Sequence, residues 1–510
     1  FMQSVGHIMG SQMETDMRQD LFHHVQKLSF SFYSEAKVGQ IMARITSDLF
    51  QVTERQLQSL VATALSHGGD YSDLYFEHTT FFNLMLKDGV VSSGGFHTDC
   101  GVGIRVLKGE RTGYAYSENL AMEPMLKAAQ AASAIAQSDG SPRTYAHAMQ
   151  AGQQFYHMTR NWRDVSADAF LPFLQQLEKA IFAKDSRVVK VIARLSNSVS
   201  DVMMFNSLGE LTYDTRPMGS VSVTAVFQQN GKKENKGGSR SLRMGAELIS
   251  PSLLQEIADE VTSGIDQRFE AIRPKGGQMS VVMGAGASGI LLHEAMGHAF
   301  EADFNRKGQS IFSEKMGQQV CPKGINVVDD GTIAYNRGSG NYDDEGVPGE
   351  KTYMIHDGVL CSYLHDRISA SWYGVAPTGN GRRENFRYNP IPRMRATYME
   401  SGNADPEGII ASVKEGIYVD EFSNGQVKIG EGDFTFFVKS GYLIENGRLT
   451  APVKDINVIG NGPQALSDIL AVGNDLKIDN GTWTCGKEQS VPVSCGMPTV
   501  LVSSLTVGGE

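Results

Sequence analysis

The stretch His293-Glu294-Ala295-Met296-Gly297-His298 holds the residue types that a hydrolytic metal site needs. Neutral imidazoles bind a zinc ion, and a carboxylate beside them can take a proton from metal-bound water. The spacing is unusual. Zinc peptidase helices commonly place two histidines at i and i+4 on one face. Here they stand at i and i+5, which on an ideal helix leaves the side chains roughly 140° apart. An undistorted helix cannot aim both at one ion, so the motif predicts a local distortion. Gly297, just before the second histidine, marks where the helix can kink, bulge or end. The flanking residues Ile290-Leu291-Leu292 and Ala299-Phe300 are apolar enough for a buried helix. Two histidines and a glutamate in such a place are costly unless metal or hydrogen bonds satisfy them.

Two histidines need a third protein ligand. Glu301 and Asp303, three and five residues past His298, could reach the ion or hold a histidine from behind. Cys485, in Thr484-Cys485-Gly486-Lys487, is another candidate, since coordination deprotonates a thiol. Cys321, Cys361 and Cys495 read as small buried hydrophobes, and the pair His97/Cys100, in an expected turn, reads as structural. Gly284-Ala285-Gly286-Ala287-Ser288-Gly289 matches the spacing of a dinucleotide-binding loop. The second parallel strand with its acidic end does not follow, and the glycines are read instead as letting a strand pass tightly beneath the helix. Pro377-Thr378-Gly379-Asn380-Gly381-Arg382-Arg383-Glu384 puts two arginines after a glycine-flanked turn. Arg382 and Arg383 could bind a carboxylate or phosphate, or pair with acidic neighbours in a solvated loop.

The scaffold for these residues is set by the remainder of the chain. Its 510 residues suffice for two or three domains, and 41% hydrophobic with 20% charged content is that of a soluble globular protein. A net charge of −11 argues against a nucleic-acid-binding surface as the main role. Five scattered cysteines make no disulfide framework, which fits a reducing cytoplasm. No apolar run of membrane-spanning length and no signal-peptide layout is present.

Residues 1–54 differ in character from the rest of the chain. They are rich in Met and Gln and helical in pattern, with His23 and His24 expected on a helix surface. The runs Leu28-Ser29-Phe30-Ser31-Phe32-Tyr33 and Val38-Gly39-Gln40-Ile41-Met42-Ala43-Arg44-Ile45 resemble a cytoplasmic loop fragment of ABC exporter transmembrane domains. A fused reading frame is the favoured explanation.

Beyond them an α+β architecture is expected: an N-terminal domain over 57–247 with antiparallel sheet and helices, then a mostly β domain over 275–510 built around one metal-site helix. Strands are read over 73–77 and 82–86, then a turn at Lys87-Asp88-Gly89, and an Ala-rich helix over 122–137. Residues 230–241 read as a mobile loop or long hairpin tip, and 253–269 as a helix. Asp357-Gly358 and Asn446-Gly447, each between strand-like runs, are hairpin signals.

From about residue 57 to 510 the chain resembles the TldD/PmbA family, proteins also labelled modulators of DNA gyrase. The resemblance rests on the histidine motif followed by Phe300-Glu301-Ala302-Asp303-Phe304-Asn305-Arg306-Lys307, and on Asp343-Asp344-Glu345-Gly346. It rests also on Val375-Ala376-Pro377 leading into the arginine run, Val472-Gly473-Asn474-Asp475-Leu476, Cys485-Gly486-Lys487 and Leu505-Thr506-Val507-Gly508-Gly509. It implies a cytoplasmic zinc metallopeptidase that cleaves unfolded or extended peptides, with Zn2+ held by His293, His298 and Cys485. Glu294 maps onto the family's catalytic glutamate, taking a proton from zinc-bound water and returning it to the leaving amine. It also implies pairing with a related PmbA (TldE) subunit that lacks the motif, or with a second copy. A dipeptidyl-peptidase-type zinc enzyme would need a Glu-Glu pair, which the sequence lacks. The alternative from another class is a non-catalytic adaptor that binds gyrase or toxin–antitoxin partners.

Overall fold

The computed structural model describes residues 50, 52–136, 148–149, 153–286, 288–428 and 430–509. The exporter-like stretch up to residue 49, with His23 and His24, lies outside the described residues, as does Ala287. The chain divides into two compact units. Among the described residues, one falls within Phe1–Phe76, Gly101–Ala151 and Asp201–Tyr213, and the other within Glu77–Cys100, Gly152–Ser200 and Asp214–Glu510. The units are therefore not contiguous in sequence, and long strands contribute residues to each.

In the first unit the helix Glu54–Ala64 starts at Thr53, whose N–H donates to Gln56 Oε1 at 2.8 Å, half of a capping box. Leu57, Leu60, Val61 and Ala64 recur at helical spacing and are buried with Met125, Ala128, Ala129 and Ala132 of the helix Met122–Ser133. Both share a core with Leu74, Phe76, Val102, Ile104 and Val106. Each large apolar side chain taken fully out of water there contributes about 1.5–3 kcal/mol.

In the second unit, Leu171–Lys184 and Pro251–Thr262 cover the inward residues Val191, Ala193, Val221, Val223 and Phe227. The expected helix over 253–269 is two helices, Pro251–Thr262 and Ile265–Glu270, because Gly264 turns left-handed at φ +65° between them. The two short strands expected over 73–86 form one strand, Tyr71–Lys87, and His97 and Cys100 lie within the strand Val90–Lys108 rather than in a turn. Asp88 and Gly89 turn between these strands with φ of 51° and 79°. Asn230 and Gly231 do the same at 50° and 80°, so residues 232–241 are no loop. They form most of the strand Lys232–Leu242, paired from Gly219↔Leu242 to Gln229↔Lys232. Polar composition there reflects a partly exposed strand, not a missing one.

The part that carries the motif is rich in β structure. The strands Glu415–Val427, Gly277–Met283, Val500–Gly508, Ile456–Asn461 and Asp433–Glu445 follow one another in a sheet. A further pairing of Glu415–Val427 with Asp433–Glu445 closes these five into a ring. A second sheet runs Val359–Leu360, Lys351–His356, Val327–Asp330, Ala396–Met399, Ser494–Met497, Lys477–Ile478. The two expected hairpins form at Asp357-Gly358 and Asn446-Gly447, each with both residues at positive φ. The α+β reading and the strand-rich C-terminal part match this architecture.

Candidate metal centre

Gly277–Met283 pairs in parallel with Glu415–Val427 and antiparallel with Val500–Gly508, which fixes where the following turn and helix begin. Gly284 lies so close to Tyr418 that a Cβ would meet the phenol oxygen at 2.3 Å. A Cβ on Gly289 would meet the backbone of Gly496 at 2.6–2.8 Å. The glycines thus let the helix start directly against the strand Ser494–Met497.

The helix over residues 289–300 is regular only at its start. Gly289–Leu292 is α-helical, His293–Gly297 is π-helical, and His298–Phe300 is a tight 3-10 turn. The N–H of His298 donates to the carbonyl of His293, an i→i+5 bond that widens the turn and brings the fifth residue back over the first. Gly297 has an ordinary helical φ of −56°, so the bulge owes nothing to left-handed backbone. The glycine is needed for space: a Cβ would meet Met394 Sδ at 2.1 Å.

The wide turn brings the two histidines together. Ligand atoms of His293, His298 and Cys485 lie within 4.8 Å of one another, and all three residues are buried. Cys485 Sγ is 3.2 Å from His298 Nε2. In tetrahedral zinc sites, bond lengths near 2.0 Å to nitrogen and 2.3 Å to sulfur put neighbouring ligand atoms about 3.3–3.8 Å apart. His293 Nδ1 is buried and has no hydrogen-bond partner among the described residues. A soft thiolate with two imidazoles is the donor set zinc prefers, so the residues present fit that ion. Among the described residues this is the one cluster of this kind.

Electrostatics point the same way. Burial works against ionising Cys485, but His293 and His298 overcome it and bring the thiol down to about 4. Burial likewise opposes a charged His298, yet Glu301 and Cys485 raise it to about 10. The cluster is thus a thiolate beside a cationic imidazole, poised to exchange its protons for a metal ion.

Glu301 is fully buried and sits behind His298, with Oε2 2.9 Å from Nδ1. This leaves Nε2 to face the sulfur. Burial alone would raise the Glu301 carboxyl, but Lys487, His298 and Arg393 hold it down at about 2. Asp303 faces Lys487 instead, at 2.8 Å from Nζ. Glu294 differs from the ligands in being partly open, its side chain 28% exposed and its Oε2 3.8 Å from His298 Nε2.

Cys485 lies on the hairpin Thr484–Lys487/Gln489–Pro492, which turns on Glu488 at φ +58°. Arg393, wholly buried, fastens this hairpin by donating to the carbonyls of Cys485 and Gln489, each at 2.7 Å. Sequence reasoning missed both Arg393 and the contacts of Lys487. Cys485 and Lys487 share a strand face by their spacing of two, a signal that was present, whereas nothing local in sequence marks Arg393.

Arg382 and Arg383 are buried and their side chains serve the protein itself. Arg382 donates to the carbonyls of Met394 and Pro492, the latter at 2.8 Å. Arg383 donates through Nη2 to the Asp344 carbonyl at 2.9 Å and through Nη1 to that of Tyr388 at 3.4 Å. Cys321 and Cys495 are buried, whereas Cys361 is exposed, contrary to expectation. It follows the short strand Val359–Leu360, its thiol donating to the Tyr353 carbonyl at 3.1 Å.

Family models described as the PmbA/TldA metallopeptidase domain 1, central domain and C-terminal domain match residues 72–136, 160–264 and 276–509. A model of the ABC transporter transmembrane region matches 1–62. A protein of Haemophilus influenzae named metalloprotease TldD homolog is 37% identical over 480 residues, covering 92% of this chain and all of that one. Among solved structures, a candidate modulator of a DNA gyrase from Thermotoga maritima superposes with a TM-score of 0.72 at 22% identity, over 89% of this chain and all of that one. TldE from Thermococcus kodakarensis does so at 0.71 and 17%, over the same shares. The chain therefore belongs to the PmbA/TldD metallopeptidase family, on its TldD side.

Proposed function

We propose that this chain is a zinc-dependent peptidase in which His293, His298 and Cys485 hold the ion and Glu294 is the general base. The observation that carries the reading is the contrast within the constellation: three buried ligand side chains converge, and of the two carboxylates beside them Glu301 is buried against His298 while Glu294 stays partly open. Bound zinc would lower the pKa of a water ligand and polarise the scissile carbonyl. Glu294 is placed to take the proton of the attacking water and to deliver it to the nitrogen as the C–N bond breaks. Glu301 holds His298 by Nδ1 and so keeps Nε2 free for the ion. Cys485 adds a negative charge to the ligand set.

Substrates are proposed to be unfolded or extended peptides, since only a chain free of its own tertiary contacts can bring a carbonyl to a carboxylate flanked by buried groups. A TldE/PmbA-like subunit or a second copy is the proposed partner, supported by the fold shared with TldE. No helix among the described residues is long and apolar enough to cross a membrane. A reducing cytoplasm is proposed as the location, because it would keep the Cys485 thiolate available.

Purified wild type, Glu294→Ala and Cys485→Ser, assayed for bound zinc and for cleavage of an unstructured peptide, test the assignment. Glu294→Ala should keep its zinc and lose cleavage, while Cys485→Ser should lose zinc. Undiminished cleavage by Glu294→Ala would overturn the mechanism.

A further inference from the structure

Lys487 is two residues beyond Cys485 on the same strand, and both side chains point to the buried face. Its ammonium is 3.0 Å from Glu301 Oε2, 2.8 Å from Asp303 Oδ1 and 3.1 Å from the Pro392 carbonyl, and it lies 4.3 Å from the centroid of the Phe304 ring. The same Glu301 oxygen bonds His298 Nδ1. One carboxylate oxygen is therefore shared by a metal-facing imidazole of the helix and a cation of the hairpin that carries the sulfur. Arg393 Nε is farther from Glu301, 3.9 Å from its Oε1, and the Arg393 Nη atoms are spent on hairpin carbonyls.

We infer that Lys487 is a positioning residue for the metal site: its ammonium, clamped between Glu301 and Asp303, locks the strand of Cys485 against the helix of His298. The inference rests on the three-ligand reading above. A lysine suits this place because its compact charge can meet two carboxylates and a carbonyl at once. Without it, Glu301 keeps its charge with weaker compensation and is free to tilt the imidazole it holds. The hairpin then keeps its backbone ties to Arg393 but loses its side-chain anchor beside the sulfur. Groups that orient metal ligands commonly govern affinity by about 10- to 100-fold, and Lys487→Met is expected to weaken zinc binding by that amount.

Chelator competition for zinc on the full chain tests this, with wild type, Lys487→Met, Glu301→Gln, their double variant and Cys485→Ser side by side. Because Lys487 acts in part through Glu301, its substitution in the Glu301→Gln background should cost only about 3- to 10-fold, as expected of the remaining Asp303 arm, and less than in the wild-type background. In the cobalt-substituted protein, the thiolate-to-cobalt charge-transfer band of Lys487→Met should shift or weaken relative to wild type. Zinc affinity of Lys487→Met equal to wild type, or losses that multiply in full in the double variant, would overturn the inference. Cys485→Ser with wild-type zinc affinity would instead overturn the ligand reading itself. Should Lys487→Met not fold, Asp303→Asn removes one arm of the clamp and is expected to cost about 3- to 10-fold in affinity; no loss there would equally overturn it.

Discussion

The backbone N–H of His298 donates to the carbonyl of His293, and this five-residue bond is what makes two histidines at i and i+5 neighbours. Their ring centroids stand 5.3 Å apart with planes at 80°. The π turn is specific to the motif, flanked by α and 3-10 turns within twelve residues. π-bulges of this kind cost some helix regularity and concentrate at functional sites.

Gly297→Ala should damage the site although alanine is the better helix former. The added methyl would meet Met394 Sδ, an overpacking that costs about 1–3 kcal/mol. Chemical denaturation should show that loss together with weakened zinc binding, and Met394→Ala in the same chain should recover part of both. A stabilised Gly297→Ala with full metal content would refute the packing explanation.

The metal-free cluster should leave a mark on stability as pH changes. His298, raised to about 10 from an ordinary 6.5, contributes fully below 6.5 and loses its contribution as pH rises towards 10. Cys485, lowered to about 4 from an ordinary 9, contributes fully above 9 and loses its contribution as pH falls towards 4. Between 6.5 and 9 the two slopes cancel; stability falls on both sides. Thermal midpoints of the chelator-treated protein should show this plateau, and Cys485→Ser should lose both the acid-side decline and the plateau, its stability falling as pH rises above about 6.5. A wild-type midpoint climbing steadily through pH 9 would contradict it.

Arg382→Ala should act on folding rather than on substrate. The guanidinium donates to two backbone carbonyls from a buried position, and leaving those acceptors unpaired should cost about 2–4 kcal/mol. Urea denaturation measures the loss. A raised KM at unchanged stability would restore the anion-binding reading of this run.

What could be read in the sequence was governed by locality. The helix distortion followed from spacing alone, because turn geometry is a property of adjacent residues, and the hairpins at Asp357-Gly358 and Asn446-Gly447 followed from turn chemistry. The strand Lys232–Leu242 was missed because its pairing with Glu210–Gln229, not its composition, makes it a strand. The choice among Glu301, Asp303 and Cys485 stayed open on spacing, since it depends on a hairpin 187 residues from His298. Cys485 stood among the candidates on its residue type, and the family resemblance is what singled it out. Whether Arg382 and Arg383 meet solvent or carbonyls is likewise decided by distant strands.

Zinc K-edge absorption of the purified protein reads the ligand set itself. A site of His293, His298 and Cys485 predicts one sulfur scatterer at about 2.3 Å and two imidazole nitrogens at about 2.0–2.1 Å, with the sulfur lost in Cys485→Ser. A shell of nitrogen and oxygen alone in the wild type would contradict it and would move the third ligand to a carboxylate.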